Sequence, residues 1–117
     1  MLIAYVAGPY RARTRWGVWR NICRAEDVGK ELCKIGIYTI IPHKNTAWFD
    51  GLQPDCFWIE GGIRVMLQCD LLVMCPRWKD SEGACLEYES WNRMIHRRKL
   101  CFEWPKDKDK IKSLVER

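Results

Sequence analysis

The sequence predicts an α/β domain in which a parallel sheet is covered by helices on both faces. Three observations carry this. Four short runs, around residues 2–7, 37–41, 71–75 and 99–104, are almost wholly apolar. The segments between them carry apolar residues at helical spacing. The runs also lack the in–out alternation of a sheet with one wet face, so both faces of each strand must be covered.

In chain order, Leu2–Ala7 reads as a buried strand ended by Gly8-Pro9. A basic loop with Arg11, Arg13 and Arg15 follows. Val18, Ile22, Ala25, Gly29 and Leu32 recur at helical spacing, which predicts a first helix from about Gly17 to Lys34, stopped by Gly36. Ile37–Ile41 is a second strand closed by Pro42. Residues 42–54 read as a long loop holding His43, Asn45, Thr46, Trp48, Phe49 and Asp50, and loops of that length in small domains are often functional. Ile59, Ile63, Met66 and Leu67 mark a second helix ending near Gln68. Leu71–Cys75 is a third strand, and Pro76–Asp80 a turn. Ala84, Tyr88, Trp91 and Ile95 give a third helix with Asp80 or Ser81 as its N-cap. Lys99–Trp104 is a fourth strand. From about residue 105 the alternating charges of Lys106-Asp107-Lys108-Asp109-Lys110 predict a solvated tail or a frayed short helix. With right-handed crossovers this β-α-β-α-β-α-β order becomes a doubly wound, Rossmann-like (flavodoxin-like) sheet of about four to five strands. No repeat or linker divides it, so residues 1–117 form a single domain.

The composition agrees with a globular chain. Its 117 residues suffice for one hydrophobic core, with 48% hydrophobic and 30% charged residues. The seven cysteines are odd in number, have no Cys-x-x-Cys pair and fall mostly in apolar runs. They predict free thiols in a reducing, cytoplasmic setting. His43 and His96 lack ligand spacing, so neither a zinc site nor any other metal or cofactor is expected. No leader-like segment or membrane span is expected. The formal charge of +5 favours anionic ligands, but the basic residues are spread along the chain, so nucleic acid is not the expected partner.

Open parallel sheets bind ligands outside the carboxyl ends of their strands, where the loops after the first three strands meet. The third of these is the most informative. A helix starting at Ser81 offers free N–H groups and a positive dipole end to an anion, and the Ser81 hydroxyl adds a donor. Gly83 and Glu87 are one turn apart on one face. Helical side chains lean toward the N-terminus, so Glu87 points toward the ligand space and Gly83 leaves its path open. A capped helix with a surface glutamate is the plainer reading. In the first loop, Gly8-Pro9 is either a simple turn or a place where a ligand meets backbone. Tyr5 is either core or a hydroxyl at the pocket edge. Arg11, Arg13 and Arg15 are either solvated or, for one of them, at a phosphate. Neither a P-loop nor a dinucleotide-type glycine fingerprint is present.

Taken together, Tyr5-Val6-Ala7-Gly8-Pro9-Tyr10, Pro42-His43-Lys44-Asn45-Thr46, Cys69-Asp70, and Trp78, Ser81, Gly83, Ala84 and Glu87 resemble the nucleoside 2-deoxyribosyltransferase-like superfamily. That superfamily includes deoxyribosyltransferases and deoxynucleoside 5′-monophosphate N-glycosidases, and the resemblance is to its small phage and bacterial members. It spans nearly the whole chain, in order. It implies that Glu87 is a nucleophile at C1′ of a deoxyribose, with Tyr5 beside it. It further implies that Ser81 grips a 5′-phosphate and Gly8 cradles the ligand on its backbone. Pro9, Tyr10, Arg11, His43, Asn45, Trp78 and Gly83 complete the implied substrate contacts. No cofactor is implied. The ligand is a small nucleoside, nucleotide or nucleotide-derived molecule, and the assembly a homodimer or larger homo-oligomer. Trp48, Phe49, Phe57 and Trp58 are the interface candidates, although core burial is simpler for each.

Two departures stand out. Family enzymes carry an aspartate eight residues before the position of Asp70, and this chain has Gly62, with Glu60 and Asp55 out of register. Pro9 stands where some hydrolases have serine. Two functions are therefore expected. One is cleavage of the N-glycosidic bond through a glycosyl-Glu87 intermediate, with a lean toward monophosphates and hydrolysis. The other is sequestration of a nucleotide or nucleotide-derived signal without turnover.

Overall fold

The computed structural model describes residues 1–94 and 100–116. Four parallel strands, β1 (Ile3–Ala7), β2 (Tyr38–Ile40), β3 (Leu71–Met74) and β4 (Leu100–Glu103), form one sheet in the order β2-β1-β3-β4. Among the described residues five α-helices accompany them: α1 (Arg15–Lys34), α2 (Pro42–Asn45), α3 (Asp55–Met66), α4 (Glu82–Asn92) and α5 (Lys108–Val115). The fold is the doubly wound, Rossmann-like α/β architecture that the apolar runs predict.

Strand alternation explains why both faces must be covered. Ala4, Val6, Leu71 and Val73 point to one face and pack with Ala25, Val28 and Leu32 of α1 and Ile111 of α5. Tyr5, Ala7, Leu72 and Met74 point to the other and pack with Met66 of α3 and Ala84 and Trp91 of α4. At the amino edge of the sheet, Asp70 Oδ2 accepts the Ile3 N–H at 2.9 Å, tying the start of β1 to the start of β3.

Several boundaries differ from the sequence pattern for identifiable reasons. Helix α1 begins two residues before Gly17, because Thr14 Oγ1 accepts the Gly17 N–H at 3.0 Å and caps it. Its first turn is exposed and so has no apolar period to mark it. Gly29 lets α1 lie close on the sheet edge, since a Cβ there would fall 2.4 Å from Ile41 Cδ1. The long loop of residues 42–54 opens with the single-turn helix α2, with Pro42 in its first turn. Helix α3 starts at Asp55, directly after Pro54 and ahead of its first periodic residue. Ser81 is the N-cap of α4, its Oγ accepting the Ala84 N–H at 3.2 Å. The charged segment after residue 105 is not a solvated tail. Helix α5 docks through a fully buried Ile111, with its lysines facing outward. Ile95, His96 and Lys99 lie outside the described residues. Among the described residues no helix is long and apolar enough to cross a membrane.

The chain leaves β1 toward β2 on one side and reaches β3 on the other, so the strand order reverses between β1 and β3. The crevice at their carboxyl ends is where this architecture takes ligands. If α5 is part of the core, Ile111→Ala lowers stability by about 2–5 kcal/mol in urea unfolding, the usual loss for a buried Ile truncated to Ala. A change below about 0.5 kcal/mol, the range of surface substitutions, would show that α5 does not dock.

Candidate active site at the carboxyl edge of the sheet

A cleft of about 480 Å³ opens at that switch point, a volume within the range of small-molecule sites. Its walls are the loop after β1, α2 with the loop that follows it, the first turns of α3 and the start of α4.

Tyr5 and Glu87 meet in this cleft. The Tyr5 side chain is 1% exposed in the core beneath α3 and α4, and its hydroxyl donates a hydrogen bond to Glu87 Oε2. Glu87 reaches it because it lies one turn and a half into α4 and its side chain leans back toward Ser81. Burial pushes the Glu87 carboxyl up to about 7, against the pull of the Tyr5 hydrogen bond in the other direction. Burial and then the Glu87 charge push the Tyr5 phenol well above its ordinary value, so Tyr5 acts there as a neutral donor. Glu87 Oε1 has no hydrogen-bond partner among the described residues.

Gly62 of α3 faces the same pair. A Cβ at this position would lie 2.7 Å from the Tyr5 hydroxyl oxygen and 3.4 Å from Glu87 Oε2. The glycine thus lets the helix approach the tyrosine directly, and no acid side chain stands there. Glu60 does not replace it: it is exposed and pairs with Arg64 at 3.5 Å.

The first loop is held from two sides. A Cβ on Gly8 would lie 2.7 Å from Cys75 Cβ, so glycine is required where β1 and β3 end side by side. His43 Nε2 lies 3.1 Å from the Gly8 carbonyl and 2.9 Å from that of Pro9. Both are acceptors, so Nε2 carries the proton and Nδ1 is the bare nitrogen. Among the described residues Nδ1 is buried without a partner, and burial lowers the His43 pKa. Tyr10 accepts the Trp48 N–H at 3.0 Å and donates to Asp50 at 3.3 Å, linking the first loop to the second. Arg11 is ion-paired with Asp55 at the start of α3.

Of the residues singled out in the sequence, Tyr5, Gly8, Pro9, Tyr10, Arg11, His43, Ser81, Gly83 and Glu87 all line the cleft. Asn45 and Trp78 are not among the lining residues. Trp78 is buried against α4, stacked on Tyr88 with ring centroids 4.6 Å apart, and its indole N–H donates to Glu103 at 2.8 Å. Four further carboxylates line the cleft: Asp50 of the long loop, Asp55, Asp80 and Glu82, none of which the sequence pattern assigns to ligand binding. With Glu87 they outnumber the lining cations five to one, Arg11 being the one. Comparison with protein-family models, curated proteins and solved structures finds no match.

Tyr5→Phe removes the donor that stabilises the carboxylate, so the Glu87 midpoint should rise further in a carbon-13 carboxyl NMR titration; an unchanged or lower midpoint would contradict the geometry. Because the native state holds the Glu87 proton more tightly than the unfolded chain, its contribution to stability is full below about pH 4.5 and is lost as pH rises through about 7. Wild type should therefore lose up to about 3 kcal/mol relative to Glu87→Gln between acidic and mildly alkaline pH, measured by urea unfolding at each pH.

Proposed function

We propose that the protein cleaves the N-glycosidic bond of a 2′-deoxynucleoside, as an N-glycosidase or deoxyribosyltransferase, through a covalent glycosyl-Glu87 intermediate. The observation that carries this reading is the Glu87 carboxylate, anchored through one oxygen by Tyr5 in a cleft of small-molecule size with the other oxygen left unpartnered. The resemblance to the deoxyribosyltransferase-like superfamily supports it independently, because Glu87 and Tyr5 fall on the positions that the resemblance assigns to chemistry.

The steps follow from that arrangement. Glu87 Oε1 attacks C1′ and forms an ester bond as the C1′–N bond breaks. The departing base keeps the bonding electron pair and takes a proton from solvent. Tyr5 holds Oε2, which fixes the direction of attack and shares the carboxylate charge while the sugar has oxocarbenium character. Water then attacks C1′, loses a proton and releases Glu87 and the free sugar; a second base in place of water gives transfer. Beside Ser81, Asp80 is paired with Arg77 but Glu82 has no ion-pair partner among the described residues, so a 5′-phosphate there would meet a like charge and a nucleoside without a phosphate is favoured. This shifts the preference away from the monophosphate that Ser81 suggests.

The reaction needs ionised Glu87, so kcat/KM should rise with pH through about 7 and level off above it. Free base released from a panel of 2′-deoxynucleosides and their 5′-monophosphates, separated chromatographically, is the direct test. Release by wild type and none by Glu87→Ala is expected, with Tyr5→Phe moving the pH midpoint upward. No release by wild type, or equal release by Glu87→Ala, would refute the reading.

A second reading, sequestration without turnover, is favoured by Gly62, because no acid occupies the position facing the Tyr5–Glu87 pair. Calorimetry followed by mass spectrometry separates the two, since an intact recovered ligand supports sequestration and recovered base supports cleavage.

A further inference from the structure

Although the basic residues are scattered over the chain as a whole, one segment concentrates them. Between Tyr10 and Arg24 the sequence carries Arg11, Arg13, Arg15, Arg20 and Arg24, together with Trp16 and Trp19, and no lysine, aspartate or glutamate. These five arginines equal the entire formal excess of +5. All are exposed. So are the two tryptophans, at 65% and 49%, and their rings stack on each other with centroids 5.0 Å apart and planes 26° from parallel. Arg11 is taken up by Asp55, but Arg13, Arg15, Arg20 and Arg24 have no carboxylate partner among the described residues. Arg15 lies over the Trp48 ring, 4.9 Å from its centroid.

We propose that this arginine- and tryptophan-bearing face of α1 and its preceding loop binds single-stranded nucleic acid. The helix turns Ala25, Val28, Gly29 and Leu32 into the protein, and Trp16, Arg20 and Arg24 recur at four-residue spacing on its other side. Large flat rings left in water next to unpaired guanidinium groups match the two parts of a nucleic-acid strand. Unpaired bases stack on exposed indoles with little regard for sequence, and phosphates take the planar fork of arginine. A duplex offers no free base faces to the indoles. A membrane surface fits less well, because an interfacial helix inserts its apolar face and that of α1 is packed against the sheet. Charge separation supports the same reading: among the charged residues lining the cleft, carboxylates outnumber the one arginine five to one, so the phosphates of a strand are directed to the outer face. The proposal does not rest on the chemistry at Glu87.

The test is fluorescence anisotropy of a labelled oligothymidylate over a potassium chloride series, with tryptophan emission followed in parallel. Binding should quench the tryptophans, and log K should fall against log salt with a slope of about −3, the value for four phosphate contacts on a single strand. Arg13→Glu with Arg20→Glu should weaken binding at least tenfold and roughly halve the slope. Trp16→Ala with Trp19→Ala should weaken it roughly tenfold and leave the slope unchanged. Circular dichroism checks that these surface variants fold; if one does not, the wild-type slope and quenching decide. The proposal is overturned by no binding at low salt, by salt-independent binding, by a duplex held as tightly as the single strand, or by binding to phosphatidylserine vesicles with none to the oligonucleotide.

Discussion

Burial of the Glu87 carboxylate is the constraint around which the ligand end of this molecule is arranged. A carboxylate removed from water is costly, and here a single phenol offsets part of that cost while the carboxyl is still pushed up to about 7. The phenol belongs to β1, an inner strand, and the carboxylate to α4. Their bond therefore fixes a helix against the sheet at the point where the strand order reverses. Gly62 brings α3 down on the same hydroxyl, and Ser81 sets the first turn of α4 so that Glu87 leans inward. Three elements thus meet on one hydrogen bond: β1 supplies the phenol, α3 approaches through the small Gly62, and α4 is set by its Ser81 cap.

Around that point the charge is sorted. Carboxylates gather where the cleft is concave, and arginines without carboxylate partners gather on the convex outer side of α1. A concave wall of one sign focuses its field into the space it encloses, whereas an exposed basic face acts over about a Debye length into solvent. The formal excess of positive charge therefore describes the outside of the molecule, and the ligand space is acidic. Net charge alone predicted an affinity for anions without showing where on the protein it would act.

The strands and the start of α4 could be read from the sequence because they depend on local rules. Apolar runs without alternation gave the buried strands, and Ser81 ahead of an apolar period gave the cap. The inward lean of Glu87 followed from helix geometry. Asp50, Asp55 and Asp80 could not be read this way. They sit in a loop, at a helix start and in the Trp78–Asp80 3-10 turn, and their aim depends on how three separate connections close on one another. Trp78 belongs to the core through Tyr88 and Glu103, contacts that only the folded sheet brings together. The dense charge of α5 concealed Ile111, because a helix of eight residues needs only a narrow apolar stripe to dock.

Asn21 joins the two sides of the molecule. From the second turn of α1 its side-chain amide donates to the carbonyls of Tyr10 at 3.0 Å and Arg11 at 3.3 Å. The wall of the cleft and the helix that carries the outer arginines are thus joined through one side chain. Any effect that a ligand at the cleft wall had on the outer face through this link would be matched by an equal effect in the reverse direction. Two occupants that never touch would then be connected through the same few contacts, the Asn21 amide on one side and Arg15 over the Trp48 ring on the other.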